Sequence, residues 1–192
     1  MSEKMLPIAL SNRHLHLSKK DIETLFREGY ELESFKYLSQ PGQFAAVEKV
    51  DLVGPKGTIK GVRVLGPARS NTQIEISLSD SFILGIRPPV RDSGNLKNSP
   101  GVKIVGPKGE VDLEEGVIIA SRHIHMHTSD AEAFGVTDRQ VVKIRTFGER
   151  AVVFENVLVR IHPTYALEMH VDVDEGNAAA VRNGDLVELM LE

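Results

Sequence analysis

A repeated histidine motif constrains the fold of this chain more than any other feature. The segment Arg13–Asp21 reads Arg-His-Leu-His-Leu-Ser-Lys-Lys-Asp, and Arg122–Asp130 reads Arg-His-Ile-His-Met-His-Thr-Ser-Asp. Each segment is followed by a short helical pattern. Further along, Ile74-Glu-Ile76 takes the place in the first half that Met169-His-Val171 takes in the second. This two-fold internal repeat predicts two related domains.

The boundary between the two halves is expected in the polar stretch Val90–Pro100, which is rich in residues that break regular structure. We therefore expect an N-terminal domain at residues 1–92, with the first ligand set, and a C-terminal domain at 93–192, with the second. A length of 192 residues suits one large domain or two small ones.

Gly-Pro and Pro-Gly pairs divide the sequence into short segments rich in β-branched and apolar residues. Helical patterns are few, and each starts at a capping residue and stops near glycine. The expected strands are Ala45–Val53, Thr58–Leu65, Thr72–Leu78, Gly116–Ala120, Val141–Phe147, Ala151–Ile161 and Asp185–Leu191; the expected helices are Ser18–Arg27, Ser129–Phe134 and Asp174–Arg182. These patterns predict a mostly β chain with two related β-barrel-like domains.

Composition excludes several functions. The chain has no cysteine, which excludes disulfides, thiolate ligands and a cysteine nucleophile. A net charge of −4 gives no reason to expect nucleic acid or a membrane surface as a partner. No apolar run approaches the ~20 residues of a membrane span, and the N-terminus lacks the apolar core of a secretion signal. We expect a cytoplasmic protein.

The spacing of the histidines predicts metal binding. On a strand, alternate side chains share one face, so His14 and His16 converge, as do His123 and His125. A single His-x-His pair is typical of surface or core histidines, but two pairs within a repeat favour metal ligands. Catalytic zinc has three protein ligands and an open position. The repeat supplies the third ligand of each set.

The two predicted ligand sets are symmetrical. The first is His14, His16 and Glu75, and the second is His123, His125 and His170. His127 remains over and could join the first metal, whereas His162 falls outside the scheme. Zinc fits these donors, and iron or cobalt could replace it.

Arg69 leads into the strand of Glu75 and is the predicted anion contact. A guanidinium can hold phosphate through paired hydrogen bonds. The alternative is a surface arginine in a turn. Lys56, in Gly54-Pro-Lys-Gly57, is a turn lysine by the same reasoning, or a phosphate contact in the right context.

Longer motifs resemble the phosphate propanoyltransferases, the PduL-type phosphotransacylases. The resemblance extends from about Leu6 to the C-terminus. The matching stretches are Ser11–Leu17, Gln40–Gln43, Leu52–Gly57, Val62–Pro67, Ile74–Ser77, Ser93–Lys97, Ser121–His127, Leu167–Asp172 and Glu175–Ala178.

The resemblance implies two β-barrel-like domains, two zinc ions and reversible conversion of acyl-CoA and phosphate into acyl phosphate and CoA. The first zinc would be bound by His14, His16, Glu75 and His127, and the second by His123, His125 and His170. Arg69 would be catalytic and bind phosphate. The implied coenzyme A contacts are Leu10, Ser11, Asn12, Lys56, Arg63 and Asn177.

The resemblance also bears on location and assembly. Family members targeted to bacterial microcompartments carry an amphipathic N-terminal extension, whereas about five residues precede Leu6 here. A cytoplasmic enzyme is therefore favoured over an encapsulated one. Neither a homo-oligomer, such as a dimer, nor a monomer is excluded by the sequence.

The expected reaction is attack of a phosphate oxygen on the thioester of acetyl-CoA or propanoyl-CoA. Phosphate is already anionic at pH 7, so it needs positioning and partial desolvation more than a general base. One rival is a β-barrel metallohydrolase that uses metal-bound water. Another is a binding or sensor module with structural zinc.

Overall fold

The computed structural model describes residues 4–191. In chain order the elements are β1 (Met5–Ser11), β2 (His14–His16), α1 (Lys19–Leu25), β3 (Ser34–Tyr37), β4 (Phe44–Val53), β5 (Thr58–Gly66), β6 (Gln73–Glu75), α2 (Leu78–Leu84), β7 (Val90–Arg91), β8 (Lys103–Val105), β9 (Glu110–Asp112), β10 (Val117–Ala120), β11 (His123–Met126), α3 (Thr128–Phe134), β12 (Val141–Arg145), β13 (Val153–Ile161), β14 (Glu168–Asp172), α4 (Val173–Ala179) and β15 (Leu186–Met190). The prediction of a mostly β chain with a few short helices is confirmed. None of the described helices is long and apolar enough to cross a membrane.

The chain forms two compact units. The first, called the barrel unit, contains the described residues up to Ser11 and those from Ser121 onward. It is a closed barrel with the strand order β1-β14-β11-β13-β12-β15. Its core includes the fully buried side chains of Leu6, Ile124 and Met126.

The second unit, called the sheet unit, contains Asn12–Ala120. It is a curled sheet of nine strands in the order β7-β10-β6-β2-β5-β4-β8-β9, with β3 paired to β4. Its core includes the fully buried Leu15, Leu52 and Ile74. Each unit therefore has its own apolar core.

Strand pairing supports the internal repeat. In the sheet unit, β2 lies antiparallel to β6 and parallel to β5, with His14 opposite Glu75. In the barrel unit, β11 lies antiparallel to β14 and parallel to β13, with His123 opposite His170. The same pairing makes the two histidine strands equivalent, as the sequence repeat predicts.

The strand that precedes each histidine strand pairs in the other unit. β1 leads into β2 of the sheet unit, but it pairs in parallel with β14 of the barrel unit. β10 leads into β11 of the barrel unit, but it pairs in parallel with β6. The two units therefore differ from a division at residues 92/93 in two segments. Residues up to 11 join the C-terminal half, and residues 93–120 join the N-terminal half, because a local pattern does not specify a strand's partner.

The four helices within residues 4–191 are short, and each starts after a capping residue. Ser18 accepts from the amide of Asp21 before α1, and Asp172 forms a capping box with Glu175 before α4. The sequence did not predict α2 or the strands β1, β3, β7, β8 and β9. The strand expected at Thr72–Leu78 ends at Glu75, because Ser77 caps α2 with Asp80 at its third position.

Candidate metal centres and active site

The first candidate centre lies on β2 and β6 of the sheet unit. Leu15 is buried in the core, so the flanking His14 and His16 point to the opposite face of the strand. Because β6 is antiparallel to β2, Glu75 lies opposite His14. One ligand atom from each of these three side chains lies within 4.8 Å of the others. The structure therefore brings the first predicted set together.

The second candidate centre has the same construction in the barrel unit. Ile124 is buried in the core between His123 and His125, and His170 lies opposite His123 on β14. The rings of His123 and His170 stack with centroids 5.1 Å apart. Ligand atoms of the three histidines also lie within 4.8 Å of one another. The second predicted set is thus also assembled.

Backbone carbonyls set the tautomers of the first histidine in each pair. The carbonyl of Asn12 accepts from Nδ1 of His14 at 2.8 Å, and that of Ser121 accepts from Nδ1 of His123 at 2.8 Å. In a neutral ring, a proton on Nδ1 leaves the lone pair on Nε2. Such outer hydrogen bonds orient histidine ligands in metal sites.

The donor atoms fit a divalent metal ion. Nε2 of His14 lies 3.6 Å from Oε2 of Glu75, so two electron-pair donors face each other and favour a cation between them. Two atoms bound tetrahedrally to one zinc lie about 3.3 Å apart. Among the described residues, Nδ1 of His16 and Nδ1 of His125 are buried without a hydrogen-bond partner. Each centre therefore has an unused imidazole nitrogen where a metal ligand is predicted.

Burial keeps the second histidine of each pair neutral. Burial, more than the nearby Arg69 guanidinium and His14 ring, lowers the pKa of His16 to about 3. Burial, followed by the neighbouring rings of His123 and His170, lowers the pKa of His125 to about 2. Only a neutral imidazole has a lone pair for a metal, so both environments favour the binding form.

An arginine–carboxylate pair ties the two ligand strands together in each unit. Arg13, directly before His14, contacts the buried carboxylate of Asp80 at 3.0 and 2.8 Å. Arg122, directly before His123, donates from Nε to Oε1 of Glu175. Each carboxylate belongs to the third residue of a helix: Asp80 in α2, which follows the strand of Glu75, and Glu175 in α4, which follows the strand of His170. The pairs fix the start of each histidine strand relative to its partner.

Arg69 lies in the unit that contains the first centre. Its backbone amide donates to the carbonyl of Leu17 at 2.9 Å, which ties its segment to the end of β2. Its Nη1 donates to Oγ of Ser93 at 3.2 Å, and Ser93 donates to Oε1 of Glu75 at 3.1 Å. The guanidinium is thus connected to the carboxylate of the first centre through one hydroxyl.

Sequence reasoning missed Gln73 and Ser93. Nε2 of Gln73 donates to Oε1 of Glu75 at 2.5 Å and to Oγ of Ser93 at 2.7 Å. Gln73 also accepts from the amide of Gly94 at 2.7 Å. The spacing of two between Gln73 and Glu75 places both on one face of β6, and this signal was available in the sequence.

Three predicted coenzyme A contacts lie in the sheet unit. Asn12 lies two residues before the first histidine strand, and the amide of Lys56 donates to the carbonyl of Leu84 at 3.1 Å. Arg63 donates to the carbonyls of Ala46 at 2.8 Å and Val47 at 3.2 Å. The Arg63 guanidinium therefore has backbone partners already, which restricts its freedom to reach a ligand phosphate.

The other three predicted contacts lie in the barrel unit. Leu10 and Ser11 end β1, and Asn177 lies on α4. A Cβ at Gly176 would lie 2.3 Å from Cδ2 of Leu10, so glycine permits close packing of the strand on the helix. This packing places Asn177 next to the contact between β1 and α4.

The two remaining histidines each follow a strand of the barrel unit: His127 comes directly after β11 and His162 directly after β13. Nδ1 of His127 accepts from the amide of Ser129 at 3.2 Å and so caps α3. His127 belongs to neither cluster of three ligands among the described residues, and its binding to the first metal stays a prediction. The ring centroid of Tyr165 lies 4.4 Å from the ring centroid of His125 and 5.3 Å from that of His162.

The fold and the two centres define a duplicated β protein with two candidate metal-binding clusters of histidine and glutamate. The family model of phosphate propanoyltransferase matches residues 7–182. The chain therefore belongs to the phosphate propanoyltransferase family.

Individual relatives agree with the family match. The phosphate propanoyltransferase of Thermotoga maritima is 58% identical over 181 residues, 94% of this chain and 86% of the relative. That of Priestia megaterium is 56% identical over 180 residues, covering 94% and 83% of the two chains. That of Salmonella typhimurium is 48% identical over 184 residues, covering 95% and 87%. The similarity thus covers both units.

Proposed function

We propose that this chain is a phosphate acyltransferase that converts acyl-CoA and inorganic phosphate reversibly into acyl phosphate and coenzyme A. Propanoyl-CoA and acetyl-CoA are the proposed acyl donors. The observation that carries the proposal is the family match over residues 7–182, which covers both histidine clusters and Arg69. The names of the relatives specify phosphate and a propanoyl group, and the short acetyl group is a close chemical analogue.

The proposed cofactor is zinc, with two ions per chain. His14, His16 and Glu75 would hold the first ion, with His127 as its fourth ligand, and His123, His125 and His170 would hold the second. The orphaned ring nitrogens and the facing pair of His14 and Glu75 support this assignment. Bound zinc supplies Lewis acidity toward a carbonyl or phosphate oxygen and affinity for a thiolate.

The proposed reaction forms one bond and breaks one. A phosphate oxygen attacks the thioester carbonyl carbon, the carbon–sulfur bond breaks, and coenzyme A leaves as its thiolate. No enzyme nucleophile is needed, in agreement with the absence of cysteine. Phosphate is already anionic, so the protein contributes mainly by positioning it and removing part of its water.

Arg69 is the proposed catalytic residue that binds phosphate. Its anchored backbone and the hydrogen bond to Ser93 direct the guanidinium toward Glu75 and so toward the first centre. Two parallel N–H groups suit two phosphate oxygens. Arg69 would hold the nucleophile and balance negative charge as the thiolate departs.

The proposed coenzyme A contacts are Leu10, Ser11, Asn12, Lys56, Arg63 and Asn177. Lys56 is the strongest electrostatic candidate among them, because its ammonium group can attract the phosphates of the coenzyme. Since Arg63 already donates to two carbonyls, it would act through packing and fixed charge more than through a freely reaching side chain.

The experiment is incubation of the zinc-loaded protein with propanoyl-CoA or acetyl-CoA, with and without phosphate, while free thiol is measured. Phosphate-dependent release of coenzyme A supports the transferase. Release at the same rate without phosphate would identify a hydrolase instead. Binding of acyl-CoA without release would identify a binding module.

A further inference from the structure

The second centre has a fourth residue position, occupied by Glu168, that the predicted ligand set does not use. On β11 and β14, His123 lies opposite His170, and His125 lies opposite Glu168. Residues two apart on one strand share a face, so Glu168 and His170 point to the same side. Directly opposed Cβ atoms lie about 4.5–5.5 Å apart. Glu168 and the three histidines therefore form two neighbouring pairs of opposed residues, with Glu168 at the fourth position.

The first centre shows what a residue at this fourth position does. There His14 lies opposite Glu75, and His16 lies opposite Gln73, so Gln73 takes the place of Glu168. Gln73 donates from Nε2 to Glu75 and holds that carboxylate beside His14. In the first centre the residue at the fourth position, Gln73, thus orients the third ligand, Glu75. Each group of four residues also contains one carboxylate. It belongs to the third ligand, Glu75, in the first centre and to the fourth position, Glu168, in the second.

Glu168 contacts the third ligand of its own centre. Its Oε2 lies 3.1 Å from Nε2 of His170, and both side chains are 15% exposed. The cluster of ligand atoms within 4.8 Å of one another consists of His123, His125 and His170, so the carboxylate reaches the centre through His170. A carboxylate against a ligating imidazole fixes its ring and strengthens it as a donor.

We propose that Glu168 is a positioning residue of the second centre: it orients His170 and supplies the negative charge that three neutral imidazoles lack. This inference rests on the metal binding in the proposed function. A divalent ion bound by neutral ligands alone keeps its full charge, and a nearby buried carboxylate offsets part of it. Glu168 therefore raises the zinc affinity of this centre.

The test is zinc titration of the purified full chain against a chromophoric chelator, with Glu168→Gln as the variant. This change keeps the side-chain size and reproduces the residue type of the first centre. We expect one of two sites to weaken about 10–100-fold and the other to keep its affinity. Glu168→Asp, which keeps the charge, should recover part of the loss.

The controls separate this role from others. Glu155→Gln removes an exposed carboxylate from the same unit and should leave both sites unchanged. Thermal unfolding of the metal-free Glu168→Gln protein should match that of the wild type, since the role concerns bound metal. Two unchanged sites in both Glu168 variants would overturn this inference alone. A wild type that binds no zinc would overturn it together with the proposed metal centres.

Discussion

The metal-free protein should lose stability as the pH falls, because folding buries two neutral histidines. The pKa of His16 falls to about 3 on burial, whereas an unfolded histidine titrates near 6.5. Between these values the unfolded chain binds more protons, so the unfolding free energy decreases as the pH falls. The slope is about 1.4 kcal/mol per pH unit for each such histidine. From pH 6.5 to pH 5, His16 alone should cost about 2 kcal/mol.

Urea denaturation of chelator-treated protein at several pH values measures this slope. Burial raises the pKa of Asp172 and Glu175 and acts in the opposite direction, so a variant must isolate the histidine. Between about pH 4 and pH 6, where the unfolded histidine is protonated and the folded one is not, we expect His16→Asn to reduce the slope by about 1.4 kcal/mol per pH unit. His162→Gln, at an exposed position, should leave it unchanged. An identical slope in His16→Asn and wild type would refute the reasoning.

Three other predictions follow from the site. Arg69→Ala should lower phosphate-dependent turnover about 100-fold or more at saturating phosphate and keep both metals. Arg69→Lys should recover only part of the lost turnover. Arg87→Ala is the control at an exposed position, and kinetics of Arg69→Ala like those of this control would exclude phosphate binding by Arg69. Metal analysis of protein purified without chelator should find close to two zinc ions per chain, and a value near zero in active protein would contradict the ligand sets. Asp80→Asn should lower the unfolding free energy by about 2 kcal/mol in urea, because the partly exposed Arg13 loses its charge-assisted hydrogen bonds to a carboxylate. An unchanged value would show that the pair does not hold the strands.

The sequence predicts the ligand strands well because their chemistry is local. His14 and His16 share a face of any strand, and the repeat identifies the positions of Glu75 and His170 without a structure. The same rule of alternate residues places Gln73 on the face of Glu75, but a glutamine carries no metal-binding signal. The barrel of one unit and the mostly β fold follow from short alternating segments.

Features that depend on distant partners could not be predicted from local patterns. β1 contains Pro7, which weakens the strand signal, and its partners β14 and β15 lie more than 150 residues away. The exchange of β1 and β10 between units leaves no trace in composition. The hydrogen bond from Arg69 to Ser93 also joins segments with no repeated counterpart, so only the folded chain shows it.

The fate of labelled phosphate tests the central claim most directly. The protein is incubated with propanoyl-CoA and phosphate carrying ¹⁸O at every oxygen, and the products are analysed by mass spectrometry. Direct attack by a phosphate oxygen predicts propanoyl phosphate that retains all of the label, formed in equal amount to free coenzyme A. Coenzyme A formed together with propanoate, without propanoyl phosphate, would contradict acyl transfer to phosphate.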